Sequence, residues 1–222
     1  MIIAVTNLKG GVGKSTISRL LAAYFANQGI KTCIVDSDLE QKTSADWCER
    51  RPESAVYVPV FPMTTIQNLQ RDVKTHSENG YKIIIIDGVP QLSESATRTI
   101  AVADLLIVPV IASFDDILSF KKFIDRYEQV KAFKGDIPAY TMMNMYSGRN
   151  NEDKEAREMM GMFEESGIKP MKTYLENRII HRRSTKEGLT AIEQNDDDKA
   201  KKEAMAFCEE VESIIFSILE KS

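Results

Sequence analysis

The stretch Asn7–Thr16, NLKGGVGKST, constrains this chain more than any other. It follows the short apolar run MIIAV and precedes a helical pattern, so it reads as strand, glycine-rich loop and helix. An α/β layout puts such a loop at the carboxyl end of a buried strand, with a helix N-terminus aimed at a bound anion. The glycines let backbone N–H groups close round phosphate oxygens with no Cβ in the way. Gly10, Gly11, Val12, Gly13, Lys14, Ser15 and Thr16 are therefore the candidate nucleotide-binding residues. Lys14 is placed to reach the β and γ phosphates, the Ser15 hydroxyl to ligate Mg²⁺, and Thr16 to meet the α phosphate. One feature is unusual for G-x-x-x-x-G-K-S/T: Leu8 stands where the first glycine belongs, and Lys9 follows it. A lysine at the loop entrance is either solvated or directed away from its own phosphates toward a second subunit. There it would offset transition-state charge, as arginines supplied in trans do.

The rest of the chain agrees with an α/β reading. Runs 2–7, 31–38, 82–88, 104–110 and 137–144 are almost continuously apolar, the pattern of strands covered on both faces. Helical patterns lie between them at 14–28, 40–50, 64–78, 93–102 and 115–133. This alternation predicts a doubly wound, mostly parallel sheet flanked by helices. Residues 151–167 read as a helix ending at Gly167, KPMKTYL as one more short strand, and ENRIIHRRSTKEG as a basic helix. A last helix, about 197–220, starts after QNDDD, with Asn195 or Asp196 as its N-cap. Its apolar residues Ala204, Phe207, Cys208, Val211, Ile214, Ile215, Ile218 and Leu219 form one stripe. No repeat or linker divides the chain, so residues 1–222 are expected to form a single domain with this helix docked on it.

Charge and cysteine usage narrow the function. The formal net charge is −4, so any nucleic-acid or membrane affinity must come from a local patch. No apolar run reaches the roughly 20 residues of a membrane span, and MIIAVTN lacks the features of a secretory leader. Cys33, Cys48 and Cys208 are far apart, without C-x-x-C spacing, which fits a reduced, cytoplasmic location.

Acidic residues at strand ends complete the candidate site. Asp36 and Asp38, two apart in an extended segment, project the same way, and such close carboxylates need a cation or water between them. KIIIIDG ends its isoleucine run on Asp87, the Walker-B arrangement that holds Mg²⁺. Gly88 permits close approach and Pro90 ends regular structure. Asn144, closing AYTMMN, either reads an adenine edge or forms a turn at a strand end.

KGGVGKST resembles the deviant Walker-A loop of the ParA/MinD ATPases, SIMIBI-type P-loop NTPases whose first loop lysine contacts ATP across a sandwich dimer. The resemblance implies that role for Lys9, and ATP and Mg²⁺ as cofactors for a slow ATPase. It implies Asp38 beside the attacking water and Asp36 supporting the magnesium shell. The family's D-x-D-P-Q motif is altered here: Leu39 replaces proline and Glu40 replaces glutamine, with Gln41 one place later. A family Pro…Asp loop makes Pro109 and Asp115 further candidates, and relatives use an asparagine like Asn144 to read adenine. The likeness runs from residue 1 to about 195.

Cluster-carrying relatives need cysteines that this chain lacks. Division-site relatives bind membrane through a basic C-terminal helix, whereas the last helix here carries Glu203, Glu209, Glu210, Glu212 and Glu220, which anionic lipid would repel. No membrane association is therefore expected. Arg178, Arg182 and Lys186 are four apart, with Arg183 and His181 adjoining, a basic face suited to DNA phosphates or else simply solvated. Small ParA-type proteins have a similar stretch associated with non-specific DNA binding. The expectation is a partition ATPase without an N-terminal DNA-binding domain. It would dimerise on ATP, associate with the nucleoid and be released by a ParB-like or centromere-binding adaptor. The alternative is a MinD-like or cargo-positioning ATPase acting through protein partners or membrane.

Overall fold

The computed structural model describes residues 1–37, 43–63, 65–89, 94–147 and 154–221. Seven strands form one sheet: β1 (Ile2–Val5), β2 (Thr32–Asp36), β3 (Val60–Pro62), β4 (Ile83–Asp87), β5 (Leu105–Val110), β6 (Ala139–Tyr146) and β7 (Lys169–Glu176). Their order across the sheet is β3-β2-β4-β1-β5-β6-β7, and every neighbouring pair is parallel. Among the described residues, eight α-helices accompany them: α1 (Lys14–Asn27), α2 (Thr43–Glu49), α3 (Leu69–Glu78), α4 (Glu94–Val102), α5 (Phe114–Lys134), α6 (Lys154–Ser166), α7 (Ile179–Lys186) and α8 (Asp198–Leu219).

Burial explains why the strands read as unbroken apolar runs. The side chains of β4 alternate between two cores, Ile83 and Ile85 on one face and Ile84 and Ile86 on the other. β5 divides likewise, with Leu105 and Ile107 opposite Leu106 and Val108. The first core takes Leu20, Leu21 and Phe25 of α1, Trp47 of α2 and the buried stripe of α8. The second takes Leu69 and Val73 of α3, Ile100 of α4, and Phe120 and Phe123 of α5. A sheet covered on both faces has no polar side, so period-two alternation never develops in its strands.

One strand had no counterpart in the sequence reading, and one expectation is revised. The segment around Val60–Pro62 is an edge strand, paired Ile34↔Val60, Val35↔Phe61 and Asp36↔Pro62. Pro59 and Pro62 hide it in the sequence, because proline is tolerated only at a sheet edge or strand end. The N-cap of α8 is Asp197 rather than Asn195 or Asp196, and its carboxylate accepts from the Lys199 and Ala200 amides.

The expected stripe of α8 is buried through Ile215, whereas Leu219 is 57% exposed. Its polar face also serves the fold. Glu210 accepts from the Lys172 and Thr173 amides at 2.8 Å each, covering part of the open edge of β7. Glu212 accepts from the Tyr24 hydroxyl at 2.9 Å. Three of the five glutamates named on this helix, Glu203, Glu210 and Glu212, thus make internal contacts.

Candidate nucleotide-binding site

The site lies where β1, β2 and β4 end. Asn7, 1% exposed, anchors the loop: its amide donates to the Pro109 carbonyl at 2.7 Å and its oxygen accepts from the Lys9 amide. Gly11 and Gly13 take φ 78° and 93°, in the left-handed region that favours glycine. A Cβ on Gly13 would lie 2.1 Å from the Asn144 side-chain nitrogen. Lys14 is 6% exposed and its ammonium folds back onto the Lys9 carbonyl at 2.7 Å. Among the described residues, the amides of Gly10, Gly11, Val12 and Gly13 donate to no protein acceptor. These amides and the N-terminus of α1 form an anion cradle.

Below the cradle, Asp36 and Asp87 are register partners on adjacent strands, each 2% exposed. Ser44, at the start of α2, bridges them: its amide donates to Asp36 at 3.3 Å and its hydroxyl to Asp87 at 2.7 Å. Asp87 Oδ1 is buried with no hydrogen-bond partner among the described residues. Burial pushes the Asp87 carboxyl up, against the pull of the Ser44 and Ser15 hydroxyls and the charges of Arg19 and Lys14. A buried carboxylate oxygen without a donor, beside the Ser15 hydroxyl and another aspartate, suits a hard divalent cation. The residues present therefore fit both parts of a magnesium nucleotide. Gly88 has the close approach expected of it, since an added Cβ would lie 2.9 Å from the Val5 carbonyl oxygen.

Within its own chain, Lys9 has a carboxylate partner. Its ammonium pairs with Asp116 Oδ2 at 2.5 Å and approaches Ser113 Oγ at 3.4 Å. Both groups belong to the first turn of α5, which Ser113 caps by accepting from the Asp116 amide. Lys9 thus points away from the cradle of its own chain. Asp38, Leu39, Glu40, Gln41 and Pro90 lie outside the described residues, as does the Asp115 side chain.

Asn144 departs from the adenine-reading expectation. It is 5% exposed and lies beneath the loop, donating to the Val12 carbonyl at 2.8 Å. One amide hydrogen bond is thereby used to fix the loop from β6, a role that local sequence does not reveal. Ser44, Arg19 and Asp116 were also missed. For Asp116 a signal existed, because Ser113-x-x-Asp116 before an apolar run is a helix-start pattern. Nothing near Ser44 or Arg19 in sequence marks either.

The basic face loses one member. Arg178 precedes α7 rather than lying on it, and its guanidinium pairs with Glu203 at 2.6 Å and Glu176 at 2.9 Å, with Asp197 at 4.0 Å. Three carboxylates neutralise it, which removes it from the face expected to meet DNA. Arg182, Arg183 and Lys186 are exposed. Arg183 has only loose partners, Glu187 at 3.8 Å and Asp196 at 3.6 Å, and Arg182 and Lys186 make no ion pair among the described residues.

Comparison with known proteins agrees with this geometry. Residues 3–197 match the CobQ/CobB/MinD/ParA nucleotide binding domain. The chain is 26% identical over 195 residues to maintenance of carboxysome distribution protein A of Halothiobacillus neapolitanus, covering 86% of each. It is 27% identical over 183 residues to the chromosome-partitioning ATPase Soj of Thermus thermophilus, covering 66% of this chain and 70% of Soj. Its fold is that of the septum site-determining protein MinD of Pyrococcus horikoshii complexed with Mg-ADP, with TM-score 0.75, 17% identity and 98% of both chains covered. An McdA–ATP complex from Cyanothece superposes with TM-score 0.62 and 17% identity over 95% of each chain.

Proposed function

The chain belongs to the CobQ/CobB/MinD/ParA nucleotide-binding family, and on that premise we propose that it is a ParA-type partition ATPase whose ATP-bound dimer holds DNA without sequence preference. Its cofactors are ATP and Mg²⁺, and members of the ParA/MinD family are ATPases. Bound together, they supply the phosphoryl bond whose hydrolysis times the switch. Lys14 and the loop amides hold the phosphates, and Asn144 braces the loop from below. Ser15, Asp36 and Asp87 hold the magnesium, and Asp38 orients the attacking water.

The observation that carries the reading is the direction of Lys9, whose ammonium turns out toward Ser113 and Asp116 while Lys14 turns in. On closure of two copies face to face, each Lys9 exchanges Asp116 for the phosphates of the other copy. A trans cation of this kind raises turnover and makes hydrolysis depend on the dimer. Arg182, Arg183 and Lys186 of both copies then form one basic surface for DNA phosphates, and a ParB-like adaptor triggers release.

The test is DNA retention with a non-hydrolysable ATP analogue over a salt series. Retention that needs the nucleotide and falls steeply with salt supports the reading, and Arg182→Glu with Arg183→Glu should remove it. Retention unchanged in that variant overturns the DNA role. A chain that dimerises with ATP yet ignores DNA points to the second reading, a cargo-positioning ATPase working through protein partners, which the likeness to a carboxysome distribution protein favours.

A further inference from the structure

Among the described residues, the buried Arg19 has no close carboxylate partner. It lies on α1 five residues after Lys14, is 6% exposed, and makes no ion pair within 4.0 Å among the described residues. Buried arginines ordinarily sit in tight carboxylate pairs, because an isolated charge is costly to desolvate. One terminal nitrogen of Arg19 donates to the Thr43 carbonyl at 3.1 Å, while its Nε is buried without a hydrogen-bond partner among the described residues. Burial pulls its pKa down, and the charges of Asp87 and then Asp36 oppose that loss.

What Arg19 touches gives the position meaning. Thr43 opens α2, and the next residue, Ser44, bridges Asp36 and Asp87. Holding the Thr43 carbonyl therefore fixes where the Ser44 donors sit. The two carboxylates are register partners and nearly inaccessible, so two acidic groups share one buried site.

We propose that Arg19 is a positioning residue for this carboxylate pair: through the Thr43 carbonyl it fixes the start of α2, and its buried charge offsets the like charges of Asp36 and Asp87, setting how strongly the pair attracts a divalent cation. The inference rests on reading the pair as the magnesium end of a nucleotide site. It gives the chain a built-in brake on metal affinity, since a fixed cation near the carboxylates repels an incoming one. At an effective dielectric constant of about 20, a fixed unit charge within about 10 Å of a divalent ion lowers its affinity at least tenfold.

The experiment measures the Mg²⁺ concentration for half-maximal retention of a fluorescent ATP analogue at pH 8, in the full chain and in Arg19→Met and Arg19→Lys. Amide hydrogen exchange over residues 43–49 is measured without nucleotide. The Met variant should bind at Mg²⁺ at least tenfold lower, exchange faster at the start of α2, and be restored in Mg²⁺ dependence by Lys. A merely structural arginine would change exchange or melting and leave the Mg²⁺ midpoint where it was. A midpoint unchanged within about twofold or raised in the Met variant, or a Lys variant that behaves like Met, overturns the proposal. Should Arg19→Met fail to fold, Arg19→Gln replaces it as the neutral variant. Retention that ignores Mg²⁺ in the unaltered chain would overturn the magnesium reading of the pair and this inference with it. If the unaltered chain depends on Mg²⁺ and the variants match it, only the role of Arg19 fails.

Discussion

The two ends of the chain use charge in opposite ways. Around the phosphate loop, Asp87 Oδ1 and the Gly10–Gly13 amides are left without protein partners among the described residues, and Lys9 is held by a residue at the mouth of the site. In the last third, much of the charge is taken up inside the fold. Arg178 is shared among three carboxylates, and Glu210 covers the edge of β7. Arg51 is clamped between the Gly188 carbonyl at 2.9 Å and Glu193 at 2.6 Å. A ligand site stays unsatisfied until its ligand arrives, whereas a docking seam satisfies itself on folding. A basic run in sequence therefore says little about which cations are available.

Four substitutions probe that division. The largest effect is expected from Lys9→Ala, which removes the proposed trans cation. Partner-stimulated turnover should fall by roughly a thousandfold, with nucleotide affinity of the single chain little changed. Dimer fraction and turnover equal to those of the unaltered chain would place Lys9 with the internally satisfied charges.

Next comes Arg51→Ala. The Arg51 and Glu193 side chains are 2% and 9% exposed, so removing one leaves the other buried and unpaired. The expected loss is about 3–5 kcal/mol of stability, read as a fall of roughly 10 °C in melting temperature. Gly13→Ala should cost somewhat less, about 2–4 kcal/mol for a left-handed alanine that crowds Asn144. ATP retention should be lost with it, and normal retention would show that the loop is not the cradle described.

The smallest effect is a pH dependence. Burial pushes the His181 imidazole below its usual range, against the pull of Glu203 and Asp197. The unfolded chain then binds the proton first, so stability is fully present above the ordinary histidine pKa of about 6.5 and declines as pH falls below it. His181→Gln should flatten that decline in a denaturant series by about 1 kcal/mol or less. A steeper decline in the variant would contradict the assigned direction.

Much of the fold was legible because its signals are local. The isoleucine run of β4, the glycines of the loop and the stripe of α8 each sit within one turn or one strand, where periodicity and steric need are plain. The loop that forms the anion cradle was legible for the same reason. Edge strand β3 was not, because its prolines oppose the strand pattern. The partners of Lys9, the burial of Asn144 under Val12, and the loss of Arg178 to Glu203 were not either.

The sequence by itself determined the α/β layout, the position of the anion cradle and which carboxylates end the strands. These follow from backbone stereochemistry and from apolar runs that bury themselves on both faces. Only the tertiary structure decided which partners each charge takes: Lys9 takes Asp116, Arg178 three carboxylates, and Arg19 the Thr43 carbonyl. A charge interacts through space, over a few ångström in a weakly screened interior, with groups up to 107 residues away along the chain. No local pattern encodes such pairings, and it is they that separate a cation able to act on a ligand from one that holds the fold together.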